Sequence, residues 1–453
     1  MKASLSRCSQ TTGCVLLVAS MLLASVVPAF NQTASRLQPL IADVDTFVGT
    51  GNGGNIVPGA QVPFGFVHVS PDTANPNTAG YNPFENILGF SQTHVSGTGG
   101  ASKYGNFLTT PLVGKLRLSN LGSPKADEAA APGYYTVRLT QPDVKVELTA
   151  TRLVAMHRYT FPSSQLSHLL IEASSVVQPE TGNNAVKNPH PVDCWVRVIV
   201  PNRIEGSGNF IGGWNQSPYT IHFSAEFDRP FTAYGTWRDN RIEPAAVAAA
   251  SEGRVGAYAT FDTTSKKTVQ MKIAVSFISP EKARANLLQG ISDWNFDSVR
   301  RKAEAAWESV LRQIKVEGGT EEQRKIFYTA LYHSHYMPHD LTGENAWWNS
   351  SEPHYEDYYA IWDTFRTHFP LLLLIQPERH RDMVRSLVDT YVHTGWMPDS
   401  RIAGANGMTQ GGSNADVVVA DAIMKNVAGI DYRKAYEALV KNAEVDSPRP
   451  LYK

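Results

Sequence analysis

The sequence predicts a two-domain protein in which a region of β-strands precedes a region of α-helices. Between residues 43 and 280, short segments such as Tyr134–Leu139 and 269–275 alternate apolar and polar residues or are rich in β-branched residues, with turn-forming residues between them. From residue 281 onward, apolar residues recur at helical spacing among Ala, Arg, Glu and Leu. We expect a β-sandwich at 43–280, a helical linker at 281–319 and a helical domain at 320–453.

The start of the chain is typical of an export signal. Lys2 and Arg7 give it a basic beginning, residues 15–27 are mostly apolar, and Ala29 is a small residue suited to cleavage. The apolar run is shorter than the roughly 20 residues that span a bilayer. We expect a signal peptide at 1–29, a secreted or secretory-pathway protein, and no transmembrane span in the mature chain.

Composition argues against nucleic acid as a partner. The chain has 41 Lys and Arg against 42 Asp and Glu, so it has no excess positive charge for a phosphate backbone. Aromatic residues make up 10% of the chain, and many lie beside polar residues, where a ring can stack on the C–H face of a sugar. Neutral ligands therefore fit the composition better. After removal of the signal, Cys194 is the cysteine that remains, so no internal disulfide is expected.

Helical patterns continue from the linker to the end of the chain. Asp297 or Ser298 is placed to cap the second linker helix, and glycines at 318–319 follow its end. Ser413 and Asp416 have the spacing of a capping box. The helices are expected at residues 281–288, 296–314, 321–335, 360–374, 379–394, 415–427 and 432–442.

Two glycine-rich segments interrupt the strand region, at residues 52–60 and 89–100. Glycine permits turns that direct backbone N–H groups and nearby polar side chains toward a ligand, which makes His94, Ser96 and Gly97 candidate binding residues. The alternative is a long surface loop that closes the sandwich, with His94 as a hydrogen-bonded loop residue. The pattern leaves both interpretations open.

The helix predicted from residue 360 carries Trp362, Asp363 and Arg366. The two charged residues are three apart, so on one helix they share a face and can form an ion pair. The functional interpretation makes Asp363 an acceptor for sugar hydroxyls, oriented by Arg366 and accompanied by the Trp362 ring. The ring is equally suited to a core position.

Taken together, these segments resemble glycoside hydrolase family 92, the calcium-dependent, inverting exo-α-mannosidases. Each motif is weak alone, but their order along nearly all of the mature chain is specific. The motifs are residues 45–51 (DTFVGTG), 58–60 (PGA), 89–99 (GFSQTHVSGTG), 327–334 (FYTALYHS), 362–366 (WDTFR), 376–379 (QPER), 395–401 (GWMPDSR) and 411–421 (GGSNADVVVAD).

The resemblance implies a β-sandwich followed by an (α/α)6 barrel, of which residues 320–453 would be the first part. It implies α-mannoside glycans as ligands, calcium as cofactor, and hydrolysis with inversion of α-mannosidic bonds, of the α-1,2 type, in N-glycans or mannans. By resemblance, Asp363 would hold hydroxyls of the mannose in the cleavage subsite. The loop around His94 would help to build the rim of the pocket.

The resemblance also implies that the catalytic acid, the catalytic base and most calcium ligands belong to motifs beyond 411–421. Twelve barrel helices need roughly 350 residues at ordinary helix and loop lengths, which is more than follow Thr320 in this sequence. The expectation is a C-terminally truncated mannosidase homologue with no catalytic carboxylates or metal ligands of its own. The alternatives are a non-catalytic mannoside- or carbohydrate-binding module and an inactive fragment.

Overall fold

Strands fill the first part of the molecule up to Ser276 and helices follow from Pro280, which confirms the predicted order of a β region before an α region. The computed structural model describes residues 39–177, 188–214, 217–359, 361–407 and 413–445. The export signal expected at 1–29 lies outside these residues. A 3₁₀ turn at Leu40–Asp43 precedes the first strand.

Two antiparallel sheets form the sandwich. Their strands are β1 (Ser70–Thr73), β2 (Ile87–Ser91), β3 (Leu108–Val113), β4 (Lys125–Ala131), β5 (Tyr134–Leu139), β6 (Val144–Ala150), β7 (Val154–Thr160), β8 (Ser167–Glu172), β9 (His190–Ile199), β10 (Arg203–Ile211), β11 (Tyr219–Phe227), β12 (Ala233–Arg238), β13 (Arg241–Pro244), β14 (Ala248–Ser251), β15 (Val255–Phe261) and β16 (Thr268–Ser276). The seven-stranded sheet has the order β1-β2-β3-β8-β15-β12-β13, and the nine-stranded sheet has the order β14-β9-β10-β11-β16-β7-β6-β5-β4.

The main core lies between the two sheets. Val144, Val146 and Leu148 of β6 and Leu169 and Ile171 of β8 are fully buried in one apolar cluster. Their spacing of two residues follows from the alternation of side chains across a strand. Burial of each such side chain contributes about 1.5–3 kcal/mol, so the sandwich is a firm support for the loops at its ends.

Helices and two short hairpins make up the rest of the described chain. The helices are α1 (Pro280–Gly290), α2 (Phe296–Leu311), α3 (Glu321–His333), α4 (Ile361–Thr364), α5 (His368–Ile375), α6 (Pro377–Thr394), α7 (Asn414–Met424) and α8 (Tyr432–Glu444), and the hairpins pair β17 (His339–Asp340) with β18 (Tyr355–Glu356) and β19 (Ser400–Ile402) with β20 (Ala405–Gly407). Leu372, Met383, Leu387 and Val419 belong to a separate core among α5, α6 and α7. None of the described helices combines the length and apolar character needed to cross a bilayer.

The helix ends correct two predictions. Asn295, and neither Asp297 nor Ser298, caps α2, because its side chain accepts the N–H of Ser298. Ser413 makes no side-chain cap to α7, and Asp416 instead accepts the side-chain amide of Asn442 at 3.0 Å.

The single helix predicted over 360–374 is wrong, because α4 ends at Thr364 and α5 begins at His368. Pro370 is the physical reason. A proline inside a helix has no N–H to donate, and its ring clashes with the carbonyl four residues earlier. A new helix that begins at His368 places Pro370 in the first turn, where no backbone N–H partner is needed.

Buried polar contacts join the sandwich to the helices. The Glu344 carboxylate is fully buried and accepts the Ser276 hydroxyl at 2.5 Å and the Asn286 amide at 2.7 Å. The Trp307 indole donates to the carbonyl of Gln61 at 2.6 Å, and the Gln61 amide donates to the carbonyl of Tyr336 at 3.2 Å. Groups that satisfy one another in this way fix the orientation of one region against the other.

Candidate functional site

A cavity of about 320 Å³ lies where the glycine-rich loop of the sandwich faces α3, the segment after β18, and α5. We call it the junction cavity. Its volume is near the lower end of the roughly 300–1,000 Å³ found for small-molecule sites, which suits one small ligand. The lining residues used below are Ser96, Gly97, His333, Asp357, Tyr359 and His368.

A buried hydrogen-bond network holds the loop of residues 89–99 from behind. Asp72 accepts the N–H of Ser91 at 2.8 Å, and His94 donates from Nδ1 to the carbonyl of His68 at 2.7 Å. The other ring nitrogen, Nε2, lies 3.0 Å from Ser91 Oγ and 3.3 Å from Asp72 Oδ1. His94 is 1% exposed and does not line the cavity. The structure therefore places it behind the rim, as a support for the loop.

Ser96 and Gly97 line the junction cavity. Ser96 Oγ accepts the N–H of Val57 at 3.1 Å, and the Gly97 N–H donates to the carbonyl of Asn55 at 2.7 Å. Gly97 has a φ of 100°, a left-handed backbone conformation that residues other than glycine rarely adopt. The two glycine-rich segments are thus bonded to each other, and this part of the wall is preformed.

Of the described residues that line the cavity, Asp357 alone carries a carboxylate. It is 1% exposed, and its Oδ1 accepts the Tyr104 hydroxyl at 2.8 Å while its Oδ2 accepts His339 Nδ1–H at 2.5 Å. Burial, and then the negative charge of Asp357, raise the pKa of Tyr104 well above its ordinary value, so Tyr104 remains a donor. The sequence interpretation missed Asp357. Its signal was a pair of acidic residues inside the aromatic run 355–359.

Glu356, next to Asp357, points into a different buried contact. Its Oε1 accepts Arg401 Nε–H at 2.6 Å, and its Oε2 accepts the N–H of Gly404 at 3.0 Å. Burial acts to raise the pKa of Glu356, but the Arg401 charge and hydrogen bonds to the carboxylate outweigh burial, and the pKa lies below its ordinary value. The ion pair ties β18 to the β19–β20 hairpin, and so helps to fix the position of Asp357.

Lining side chains with a buried polar atom that has no hydrogen-bond partner in the described part of the chain include those of His333, Tyr359 and His368. These atoms are His333 Nε2, Tyr359 Oη and His368 Nδ1. His368 Nε2 donates to the carbonyl of Ser334 at 2.5 Å, so in the neutral ring Nδ1 is an acceptor. Burial lowers the pKa of His333 to about 4, so this ring is neutral at neutral pH. The residues around the cavity thus include neutral acceptors and a phenol, which are chemically suitable partners for hydroxyl groups.

Trp362, Asp363 and Arg366 are absent from the lining of the cavity, although Thr364, within the same segment, belongs to it. Asp363 and Arg366 are exposed, and the Arg366 guanidinium lies 4.9 Å from the Phe365 ring centroid. The helix α4 ends at Thr364, so Arg366 lies beyond it and the expectation that Asp363 and Arg366 share one helical face is wrong. Within the described chain no ion pair joins the two residues. Thr364 itself lines the cavity.

The described residues do not fit a calcium site. They contain no group of three or more His, Cys, Asp or Glu side chains arranged to hold a metal ion. Calcium takes six to eight oxygen ligands, several from carboxylates, whereas the Asp357 carboxylate is already bound by Tyr104 and His339. The calcium that the resemblance implies therefore finds no ligand set in these residues.

Comparison with protein-family models identifies the class of protein. Residues 43–276 match the glycosyl hydrolase family 92 N-terminal domain, and residues 282–452 match the glycosyl hydrolase family 92 catalytic domain. The chain belongs to glycosyl hydrolase family 92.

Similar proteins agree with this assignment. An uncharacterized secreted glycosidase of Arthroderma benhamiae is 31% identical, in an alignment that covers 89% of this chain and 52% of that protein. The family 92 α-mannosidase BT3965 of Bacteroides thetaiotaomicron is 28% identical with a TM-score of 0.82, covering 91% of this chain and 57% of that one. The inverting mannosidase BT2199 of the same organism is 26% identical with a TM-score of 0.80, covering 90% and 56%. The chain therefore spans about half the length of these relatives.

Proposed function

We propose that this chain supplies the mannoside-binding junction of an exported family 92 α-mannosidase, which hydrolyses α-1,2 bonds of N-glycans or mannans with inversion. The observation that carries the proposal is the junction cavity, whose lining combines preformed backbone with unpaired hydroxyl and imidazole groups. The two solved relatives are named as mannosidases, and BT3965 has a structure in complex with mannoimidazole. Export is supported by the word "secreted" in the name of the curated relative.

The chemistry of the lining matches a neutral sugar ring. A mannose hydroxyl can donate to His333 Nε2 or His368 Nδ1 and can accept from Tyr359 Oη, because these atoms have no partner in the described chain. Phe369 supplies an apolar ring on the same wall, which can pack against the C–H face of a sugar. Satisfaction of a buried polar atom by a ligand removes a desolvation penalty of about 1–3 kcal/mol.

Asp363, next to the lining residue Thr364, is the charged mannose-binding group in this proposal. Its carboxylate is exposed, makes no ion pair in the described chain, and precedes the lining residue Thr364. An ionised carboxylate can accept from two neighbouring hydroxyls of one sugar, and such charge-assisted bonds are stronger than neutral ones. In this proposal Asp363 binds the mannose directly, with Trp362 and Arg366 flanking it. Arg366 does not orient the carboxylate through a salt bridge.

A second candidate function, binding without hydrolysis, is favoured by one observation. Inverting hydrolysis needs a carboxylic acid and a carboxylate base about 6.5–9.5 Å apart. In the described lining of the junction cavity, Asp357 is the sole carboxylate, and it is held by Tyr104 and His339. The described residues on their own thus form a carbohydrate-binding site that lacks the pair needed for cleavage.

Calorimetric titration of α-1,2-mannobiose tests the proposal. We expect the chain to bind the disaccharide, and Tyr359→Phe to weaken binding about fivefold through loss of one hydrogen bond. Tyr436→Phe is the matched control, because Tyr436 is 66% exposed on α8 and absent from the lining. Absence of binding by the unaltered chain would refute the proposal. Mannose release in the same sample would decide for the enzyme, and binding without release would decide for the binding site.

A further inference from the structure

A second cleft, of about 470 Å³, lies between α2, the turn from β6 to β7 and the start of α6. It shares no lining residue with the junction cavity. In the described chain its lining contains the cationic side chains of Arg152, Lys302 and Arg379 and no carboxylate. The whole sequence has 41 basic and 42 acidic residues, so this cleft departs from the charge balance of the chain. We call it the basic cleft.

Two of the cationic groups are held in place through one nitrogen each. Arg152 Nη1 donates to the carbonyls of Asp340 at 2.9 Å and Thr342 at 3.1 Å. Arg379 Nη1 donates to the Tyr355 hydroxyl at 3.0 Å. The Nε–H and Nη2–H groups of both arginines have no acceptor among the described residues. Each guanidinium therefore keeps the edge with which arginine binds two oxygens of an oxyanion.

One carboxylate is shared by both arginines. Asp340 Oδ1 lies 3.6 Å from Arg152 Nη1, and Asp340 Oδ2 lies 3.6 Å from Arg379 Nη1. Asp340 is not part of the lining. Lys302 is exposed and has no ion pair or hydrogen bond in the described chain. Three cations thus face one anion, and the net positive charge remains within a concave surface. A cleft lined by one sign of charge concentrates ligands of the opposite sign.

We propose that the basic cleft binds a tetrahedral oxyanion, phosphate or sulfate, either free or as an ester on a sugar. The guanidinium groups of Arg152 and Arg379 bind its oxygens in pairs, and the Lys302 ammonium supplies a further charge. Neutral donors complete the set, because the Gln313 carbonyl oxygen accepts from Gln376 at 3.0 Å and leaves the Gln313 amide N–H₂ to donate. The Ser309 hydroxyl lies on the same face of α2, seven residues after Lys302.

Calorimetric titration of inorganic phosphate at constant ionic strength tests this proposal on the full chain. We expect saturable binding that Lys302→Glu weakens about tenfold or more, because a charge-assisted contact becomes a repulsion. Arg301→Glu is the matched control. Arg301 is exposed on the same helix but is absent from the lining, and the two substitutions change the net charge equally. We expect less than about a twofold effect from it, since exposed charges outside the site are screened by salt.

Further variants and ligands make each outcome decisive. Ser309→Glu adds a carboxylate without removing a cation and should cause a similar loss. Mannose 6-phosphate distinguishes the source: binding that Lys302→Glu weakens supports a sugar ester, and binding of inorganic phosphate alone supports the free ion. Binding of mannose 6-phosphate that is insensitive to Lys302→Glu would place the ligand elsewhere and overturn the proposal. Absence of saturable binding, or equal losses in Lys302→Glu and Arg301→Glu, would also overturn it.

Discussion

The junction cavity has two boundaries that are held in different ways. The anchored wall, defined as Ser96, Gly97 and Asp357, consists of groups whose hydrogen bonds are made to other parts of the protein. The exposed edge, defined as Trp362, Asp363 and Arg366, carries two charges that have no ion-pair partner in the described chain. One boundary is therefore fixed before a ligand arrives, whereas the other keeps its charges available for a ligand.

Substitutions on the two boundaries should therefore have opposite signatures. A change that removes a partner behind the anchored wall leaves a buried polar group unsatisfied and lowers the free energy of unfolding. A change at the exposed edge removes a contact that exists only with the ligand, so it lowers affinity and leaves stability unchanged. Measurement of both quantities for each variant tests the distinction.

The largest effect is expected behind the anchored wall, from Arg401→Met. Arg401 and Glu356 are both fully buried, so the variant leaves a carboxylate buried without its cation. Loss of one partner of a buried pair costs about 3–5 kcal/mol of stability, which urea unfolding measures. Arg433→Met is the control, because Arg433 is 90% exposed in its pair with Glu437, and it should cost less than about 0.5 kcal/mol. Equal losses in the two variants would contradict the account.

The next effect is a pH dependence that arises at His333. Its pKa is lowered from 6.5 to about 4 in the folded protein by burial, so the unfolded chain binds a proton first as the pH falls. The stabilisation is complete above pH 6.5 and is lost progressively toward pH 4, by up to about 3 kcal/mol. His333→Asn should reduce this loss when unfolding is followed by urea between pH 7 and pH 4.5. An unchanged pH profile in the variant would contradict the assignment.

A smaller effect, confined to binding, is expected at the exposed edge. Asp363→Ala should weaken binding of α-1,2-mannobiose about tenfold, because a charge-assisted hydrogen bond contributes about 1.5–3 kcal/mol. Its melting temperature should match that of the unaltered chain. Asp421→Ala serves as the control, since Asp421 is absent from the cavity lining and pairs with Lys425 at 2.8 Å on α7. Loss of stability in Asp363→Ala would remove the distinction between the two boundaries.

The smallest effect concerns calcium. Because no metal-binding group of side chains occurs in the described ranges, EGTA should change the mannobiose affinity of this chain by less than about twofold. The titration is repeated with calcium in excess as the matched sample. A calcium requirement for binding would mean that ligands come from residues outside the described ranges.

The spacing of apolar residues along the sequence was sufficient to predict that the sandwich precedes the helices, because strands and helices place apolar residues at different intervals. It failed at residues 360–374, where the local effect of Pro370 on the backbone breaks an otherwise helical pattern. Because of this break, Asp363 and Arg366 do not share the helical face that the pattern predicted. Capping by Asn295 was missed for a related reason, since several adjacent residues suit the same role.

Asp357 shows why much of the candidate site was beyond local sequence patterns. Its partner Tyr104 lies 253 residues away along the chain, and the packing of the sandwich against the helical region brings the two side chains to 2.8 Å. Asp416 is a second example. Its partner Asn442 follows 26 residues later, and burial raises the pKa of Asp416 to about 7. Residues 89–99 were identifiable because glycines mark an unusual backbone within the segment itself.

A crystal structure of this chain with α-1,2-mannobiose tests the central claim most directly. The account predicts a mannose ring in the junction cavity, with hydroxyls within about 3.2 Å of Tyr359 Oη and of His333 Nε2, and with the Asp363 carboxylate turned toward the sugar. A sugar bound at any other place, with those three groups free of contact, would contradict it.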